Sequence, residues 1–153
     1  MNDYIAYCGL DCEGCEARLA TVNNDTTLRQ KVAKEWSELN GVEITPEMIN
    51  CVGCRIDGAK TPYCESLCPI RQCATERGVE TCGSCAEKDG CEKLGMIVKN
   101  NPDVLRNLKE YAFITLRNRP ELMDRAVAEH GGGRHAYQEY YTSVSGHRSH
   151  RFL

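Results

Sequence analysis

The sequence predicts a mostly α fold, made of short helices joined by tight turns, with little β structure. Apolar residues recur at intervals of three and four in several short segments, which is the spacing of a helix face. Glycine, proline and asparagine interrupt these segments before any helix becomes long. The chain also has 11 cysteines in 153 residues, and several form pairs separated by two residues, a spacing typical of a tight turn. Together these observations predict a small irregular domain.

The N-terminal part of the chain predicts one short extended segment and two helices. Residues 4–8 (YIAYC) are aromatic and apolar and are typical of a strand that leads into a turn. Residues 16–22 are compatible with a helix, and an Asn-Asn-Asp run then breaks that helix and caps the next one. The second helix is predicted over residues 25–39 and ends at Gly41. Its apolar face is formed by four residues, of which the tryptophan is expected to anchor a small core: Leu28, Val32, Trp36 and Leu39.

The rest of the chain predicts five further helical segments. A threonine followed by Pro46 predicts a brief turn of helix. Longer helices are predicted over residues 66–77 and 91–99, then from Pro102, and finally from Pro120 to the glycines at 131–133. The apolar face of the helix after Pro102 is formed by four residues: Leu105, Leu108, Ala112 and Leu116.

The sequence divides into a cysteine-rich domain over residues 1–130 and a C-terminal extension over residues 131–153. The extension holds three of the four histidines and lacks apolar periodicity, so we expect it to be flexible or loosely docked. A histidine metal site there is disfavoured because its histidines have no ligand-like partners nearby: His135, His147 and His150.

Composition and charge narrow the class of protein. With 19 Lys and Arg against 22 Asp and Glu the formal net charge is −3, so no basic excess favours nucleic acid as a partner. No stretch approaches the roughly 20 apolar residues of a membrane span. The first residues lack the basic and apolar regions of a signal peptide, so we expect a cytoplasmic location. Thiols stay reduced in that compartment, and the number of cysteines is odd, so a disulfide framework is disfavoured.

Three Cys-x-x-Cys units carry the strongest chemical signal: Cys12/Cys15, Cys51/Cys54 and Cys82/Cys85. Two intervening residues let a tight turn aim both sulfurs at one ion, and three such units in one chain indicate zinc knuckles. Each unit contains a glycine, which we expect where backbone angles are strained or another segment approaches closely: Gly14, Gly53 and Gly83. The predicted fold is therefore a metal-stabilised domain in which zinc-knuckle turns join the short helices.

Tetrahedral zinc takes four ligands, so we predict two structural four-cysteine sites. The first consists of Cys12, Cys15, Cys51 and Cys54. The second consists of Cys73, Cys82, Cys85 and Cys91, where the last cysteine lies in the first turn of a helix whose dipole favours thiolate charge. Four basic residues are placed to offset the remaining negative charge: Arg18, Arg55, Arg71 and Lys93.

Three cysteines remain outside these two sites: Cys8, Cys64 and Cys68. They could form a third site of three thiolates, exchange with ligands of the other two sites, or remain buried structural thiols. An iron–sulfur cluster is the alternative cofactor, since Cys8, Cys12 and Cys15 have the spacing of the radical S-adenosylmethionine signature. The chain has too few strands for the barrel that such enzymes need, so zinc stays the predicted metal.

The order and spacing of these motifs resemble a cysteine-rich prokaryotic family, domain of unknown function 3795. The matching segments are CGLDCEGC at 8–15, the stretch at 24–54, CPIRQCATERGVETCGSC at 68–85 and CEKL at 91–94, which together span most of residues 4–100. The resemblance implies zinc binding and adds no reaction. The extension after Gly131 lies outside it.

The sequence favours a binding module over an enzyme. It contains no hydrolase triad, nucleotide loop or dinucleotide fingerprint. A catalytic zinc keeps an open position and usually has histidine or carboxylate ligands, whereas residues 51–91 contain no histidine. We therefore expect structural zinc sites that support a surface for an unidentified protein partner, with no nucleic acid or membrane. The alternative is a redox or electron-transfer protein that uses an iron–sulfur cluster or the thiols of Cys64 and Cys68.

Overall fold

A computed structural model describes residues 3–119 and the isolated positions 121, 124, 127, 128 and 133. The described chain is mostly helical and forms no strand, which confirms the predicted class. The predicted strand over residues 4–8 contributes only a single antiparallel bridge, between Ile5 and Asp11. Within residues 3–119, five α-helices follow one another: α1 (Glu16–Val22), α2 (Thr26–Asn40), α3 (Pro69–Glu76), α4 (Glu92–Asn100) and α5 (Asp103–Asn118).

Three short helical turns connect the longer helices: Pro46–Met48 and Cys82–Ser84 are 3₁₀ turns, and Tyr63–Leu67 is a π turn. The helix predicted over residues 66–77 is therefore wrong at its start. Pro69 has no N–H and disfavours helical angles at the residue before it, so α3 begins at the proline and Cys68 becomes its N-cap. The helix predicted from Pro120 and the extension 131–153 lie outside the continuously described residues.

Helices α1 and α2 pack together over a first core formed by Ala17, Val32, Ala33 and Ile49. The Asp25 side chain accepts a hydrogen bond from the Leu28 N–H at 2.9 Å, and Gly41 ends α2 in the left-handed conformation. Trp36 packs against this core as predicted. Leu39 does not, because it is 82% exposed at the end of α2.

A second core joins the N-terminal loop to the C-terminal helices. Its buried members are Ala6, Cys8, Cys54, Ile70, Leu94 and Leu108. On α5, Leu108 and Ala112 are buried as predicted, but Leu105 is 41% exposed and its place is taken by Val104 and Tyr111. The side chain of Leu116, the fourth predicted member of that face, lies outside the described residues.

Two glycines let α5 lie directly on the cysteine-bearing turns. Gly9 has φ of 90°, and a Cβ there would overlap the Val104 carbonyl oxygen. A Cβ on Gly83 would lie 2.8 Å from the Leu108 carbonyl oxygen, closer than such atoms approach. The Asn107 side chain also donates to the Gly9 carbonyl at 2.9 Å. The backbone of α5 therefore packs directly against the backbone of two cysteine-bearing turns.

Within the part of the chain that the structure describes, no helix has the length and apolar character needed to cross a membrane.

Candidate metal centre

The N-terminal loop presents Cys8 and Cys12 to the interior. Its shape is fixed by backbone hydrogen bonds, from the Ala6 N–H to the Leu10 carbonyl and from the Cys12 N–H to the Tyr4 carbonyl, both at 2.8 Å. Cys15 follows as the N-cap of α1. Three thiols therefore lie within the eight residues that precede α1.

The Cys51–Cys54 turn is held from two directions. The Cys51 N–H donates to the Thr21 hydroxyl on α1 at 2.9 Å, and the Val52 N–H donates to the Ala59 carbonyl at 3.0 Å. Both cysteines of this turn are buried. Gly53 has φ of 127°, so the predicted need for glycine is confirmed here by backbone angle, as it is at Gly83 by close approach.

The same prediction is wrong for Gly14. Its φ does not lie in the left-handed region, and no neighbouring atom lies within 4 Å of the position that a Cβ would take. The Cys12/Cys15 unit therefore lies at the surface at Gly14, whereas α5 packs against Gly83 and the side chain of Ile56 lies close to Gly53.

The structure brings the four cysteines of the first predicted site into one neighbourhood. The Cys54 N–H donates to the Cys12 sulfur. Burial, with added repulsion from charge on Cys54, Cys51 and Cys15, raises the pKa of Cys12 to about 12. Cys12 and Cys15 are only partly exposed, so all four thiols are at least half withdrawn from water.

The four cysteines of the second predicted site line one pocket of about 270 Å³. Cys73 comes from α3, Cys82 and Cys85 from the 3₁₀ turn, and Cys91 is the N-cap of α4. Burial, then charge on Cys8 and on the other three pocket cysteines, raises the pKa of Cys82 to about 12. We call Cys73, Cys82, Cys85 and Cys91 the pocket group.

Two of the three unassigned cysteines, Cys8 and Cys68, belong to the same core as Cys54. Cys8 shares the second core with Cys54, and Cys68 packs against that core. The Cys68 sulfur accepts a weak hydrogen bond from the Arg71 N–H at 3.5 Å, and the Thr61 hydroxyl donates to Cys64. Sequence spacing alone gave no sign that these residues meet Cys54, because 46 positions separate Cys8 from Cys54 along the chain.

The basic residues predicted to offset thiolate charge take different roles. Arg71 acts on a thiol, since its charge opposes the rise that burial causes in the pKa of Cys54. Arg18 lies over the Tyr4 ring and Arg55 over the Tyr111 ring, at 3.9 and 4.3 Å from the ring centroids. Lys93 lines the pocket of the second predicted site.

The thiols of both predicted four-cysteine sites fit a thiophilic ion such as zinc, but their side chains are not arranged as a chelate. All cysteines are free thiols, and backbone N–H groups donate to Cys8, Cys12, Cys54 and Cys68. Arg71 Nη1 is buried without a hydrogen-bond partner, which suits a neighbourhood of thiolates. Yet among the described residues no three His, Cys, Asp or Glu side chains are arranged so that they could hold an ion.

The described residues form a small, mostly helical, cysteine-rich protein. Comparison with known families assigns its family. The chain belongs to the family described as Protein of unknown function (DUF3795), whose sequence pattern matches residues 4–96. This confirms the resemblance seen in the sequence. No protein of curated function and no solved structure matches the chain.

The matched residues include every cysteine but end within α4. Helix α5, which covers Gly9 and Gly83, therefore lies beyond the family match.

Proposed function

We propose that this protein is a zinc-binding module in which the pocket group holds one structural ion and Cys12, Cys15, Cys51 and Cys54 hold another. The observation that carries the proposal is that four cysteines from three separate segments line one pocket. Thiolates are preferred ligands of zinc, and four of them complete its tetrahedral coordination.

The residues of the pocket group would bind by rotating about χ1, since each is only partly buried. Cys82, Cys85 and Cys91 lie on a turn or at the start of a helix, and Cys73 lies within α3. Zinc–sulfur bonds are about 2.3 Å long, so the ion would cross-link α3, the 3₁₀ turn and the start of α4. The Arg77–Glu87 ion pair at 2.8 Å lies at the edge of the same pocket and holds α3 against the turn before α4. Each thiol that binds gives its proton to solvent.

A closed four-thiolate site leaves no coordination position for a substrate, which favours binding over catalysis. The two apolar cores are small, so an ion that joins α3 to α4 would mainly fix the shape of the surface around them. We infer that this surface binds another protein.

The proposal is tested by elemental analysis of the native protein, purified under reducing conditions without added metal. We expect at least about two zinc ions per chain. Cys73→Ser and Cys85→Ser should each remove one ion. Ser84→Ala, which alters the same turn without removing a thiol, should keep the full complement. A protein that purifies and folds with no bound metal would end the proposal.

An iron–sulfur or thiol-based redox protein is the second candidate, favoured by the density of thiols around Cys54. A brown protein with broad visible absorbance and bound iron would establish the cluster. Burial raises the pKa of Cys8 to about 11, so its thiol is protonated at neutral pH in the metal-free chain and is a poor nucleophile.

A further inference from the structure

A pocket of about 460 Å³ lies between the end of α2 and the π turn. It is lined by residues from two segments: 36–49, which contain the last turn of α2 and the 3₁₀ turn after it, and 61–67, which contain the π turn. Most of the lining residues are apolar, and Glu43 is the charged one among them. Pockets of this size and lining are typical of sites for small molecules. We call it the apolar pocket, and it shares no residue with the two predicted four-cysteine sites.

Hydrogen bonds hold both segments in place. The Ser37 hydroxyl accepts from the Ile44 N–H at 2.8 Å and donates to the Ala33 carbonyl at 2.7 Å, which ties the loop after α2 back onto the helix. The Gln72 side chain on α3 donates to the Ser66 carbonyl at 2.7 Å and so fixes the π turn. The protein's own hydrogen bonds therefore give the pocket its shape.

The apolar pocket has an exposed apolar rim. Val42, Met48, Tyr63 and Leu67 line the pocket and are between 41% and 65% exposed. Single exposed apolar side chains are common on protein surfaces, whereas several gathered at one pocket mark a surface that binds a ligand or a partner. The rim therefore indicates a binding site.

Two aromatic side chains line the pocket, Trp36 from α2 and Tyr63 from the π turn. The face of an aromatic ring attracts a cation, and tryptophan does so most strongly. Among the described residues, an arginine lies over the Tyr4 ring and another over the Tyr111 ring, whereas no basic side chain lies over Trp36 or Tyr63. A cation at these two rings would have to come from a ligand.

The charge around the pocket has one sign. The two segments that line it contain no Lys, Arg or His and four carboxylates: Glu38, Glu43, Glu47 and Glu65. Lys60 directly precedes the second segment, but its ammonium group donates to two backbone carbonyls of the preceding loop and does not line the pocket. An anionic ligand would therefore be repelled, and a cationic one attracted.

We propose that the apolar pocket binds a small organic cation, an ammonium group that carries an apolar chain or ring. The ammonium group would lie against the Trp36 and Tyr63 rings, near the Glu43 carboxylate. The apolar part would cover Met48 and Leu67, which removes their side chains from water. Binding is non-covalent and does not depend on the proposed zinc sites.

The test is titration of the full-length protein with hexyltrimethylammonium, followed by calorimetry and by tryptophan fluorescence. Trp36 is the only tryptophan of the chain, so a change in its emission places the bound probe at this pocket. Heptan-1-ol and heptanoate are the comparison probes, because they have a similar chain with no charge and with a negative charge. We expect the cation to bind about tenfold more tightly than heptan-1-ol, and heptanoate to bind least. Equal affinities of the cation and the alcohol, or no binding of the cation at millimolar concentration, would overturn the proposal.

Two variants test the groups that select the charge. Tyr63→Leu and Glu43→Gln change exposed side chains, so both proteins should fold. Each should weaken binding of the cation about threefold or more and leave the affinity for heptan-1-ol nearly unchanged. If neither variant changes the affinity for the cation, the cation binds elsewhere and the proposal is overturned.

Glu38→Gln is the matched control, because it removes a carboxylate of the same segment that does not line the pocket. It should bind the cation as the wild type does. An equal loss in Glu38→Gln and Glu43→Gln would show an effect of net charge alone and would overturn the site. A second copy of the chain is the alternative occupant of the apolar rim. A dimer that Leu67→Glu converts to a monomer, detected by sedimentation, would overturn the proposal.

Discussion

The contact between α5 and the Cys82/Cys85 turn predicts that Gly83→Ala destabilises the fold. An added Cβ would lie 2.8 Å from the Leu108 carbonyl oxygen and 3.2 Å from the Leu108 Cβ. Since the first of these atoms belongs to the backbone of a helix, the strain cannot be relieved by a side-chain rotation. Overpacking of this kind costs about 1–3 kcal/mol. In a chain of this size that should lower the melting temperature by about 2–4 °C for each kcal/mol.

Gly14→Ala is the control, because Gly14 also lies inside a Cys-x-x-Cys unit but has open space around it. We expect its melting temperature to stay close to that of the wild type. Thermal unfolding followed by circular dichroism, with metal content measured on the same samples, gives both values. Equal stability of the wild type and Gly83→Ala would refute the close packing of α5 on the turn. Equal losses in the two variants would show that glycine is needed for another reason.

Three further predictions follow from the cores and the thiols. Leu108→Ala removes a side chain that is 2% exposed and should lower the free energy of unfolding, measured with denaturant, by about 2–5 kcal/mol. Leu105→Ala, at a position that is 41% exposed, should lower it far less. Equal losses would mean that the buried face of α5 is wrongly placed. Burial raises the pKa of Cys82 to about 12, above its unfolded value of about 8.5, so the contribution of this thiol to the stability of the metal-free fold is fully present below about pH 8.5 and is lost as pH rises towards 12. Metal-free protein should therefore melt at a lower temperature at pH 10 than at pH 8. A melting temperature that rises instead would contradict the shift. Zinc titration in weak buffer at pH 7 should release about one proton for each thiol that binds, and release of none would show that the thiols are not the ligands.

The sequence predicted the helices better than their environments. Helical spacing and capping located α1, α2, α4 and the start of α5 to within about two residues, since both are local properties. It failed for Leu39 and Leu105, because spacing identifies residues on one side of a helix but not where the neighbouring element ends. Helix α2 continues beyond the residues that pack on it, and α5 turns Val104 towards the core in place of Leu105.

The candidate site shows the same division between local and distant information. The Cys-x-x-Cys units were visible in the sequence because two residues separate their members. The shared core of Cys8, Cys54 and Cys68 was not visible, since it joins segments that are distant in the sequence. The sequence also treated three glycines as equivalent, and only contact with α5 or a positive φ separates Gly83 and Gly53 from Gly14.

The two cores should depend on metal to different degrees. The first core lies between α1 and α2, includes only Cys15 at its edge, and belongs to a 15-residue helix with its own N-cap and C-cap. The second core contains Cys8 and Cys54 as buried members and has Cys12, Cys68, Cys82 and Cys91 packed against it. Structural zinc sites bind with about 10–16 kcal/mol, comparable with or larger than the usual stability of a domain, so chelation should weaken the second core more than the first. Hydrogen exchange after chelation should then rise in α3, α4 and α5 while α2 keeps more of its protection. Uniform loss of protection from hydrogen exchange in all helices would show that the first core is not stable without the second.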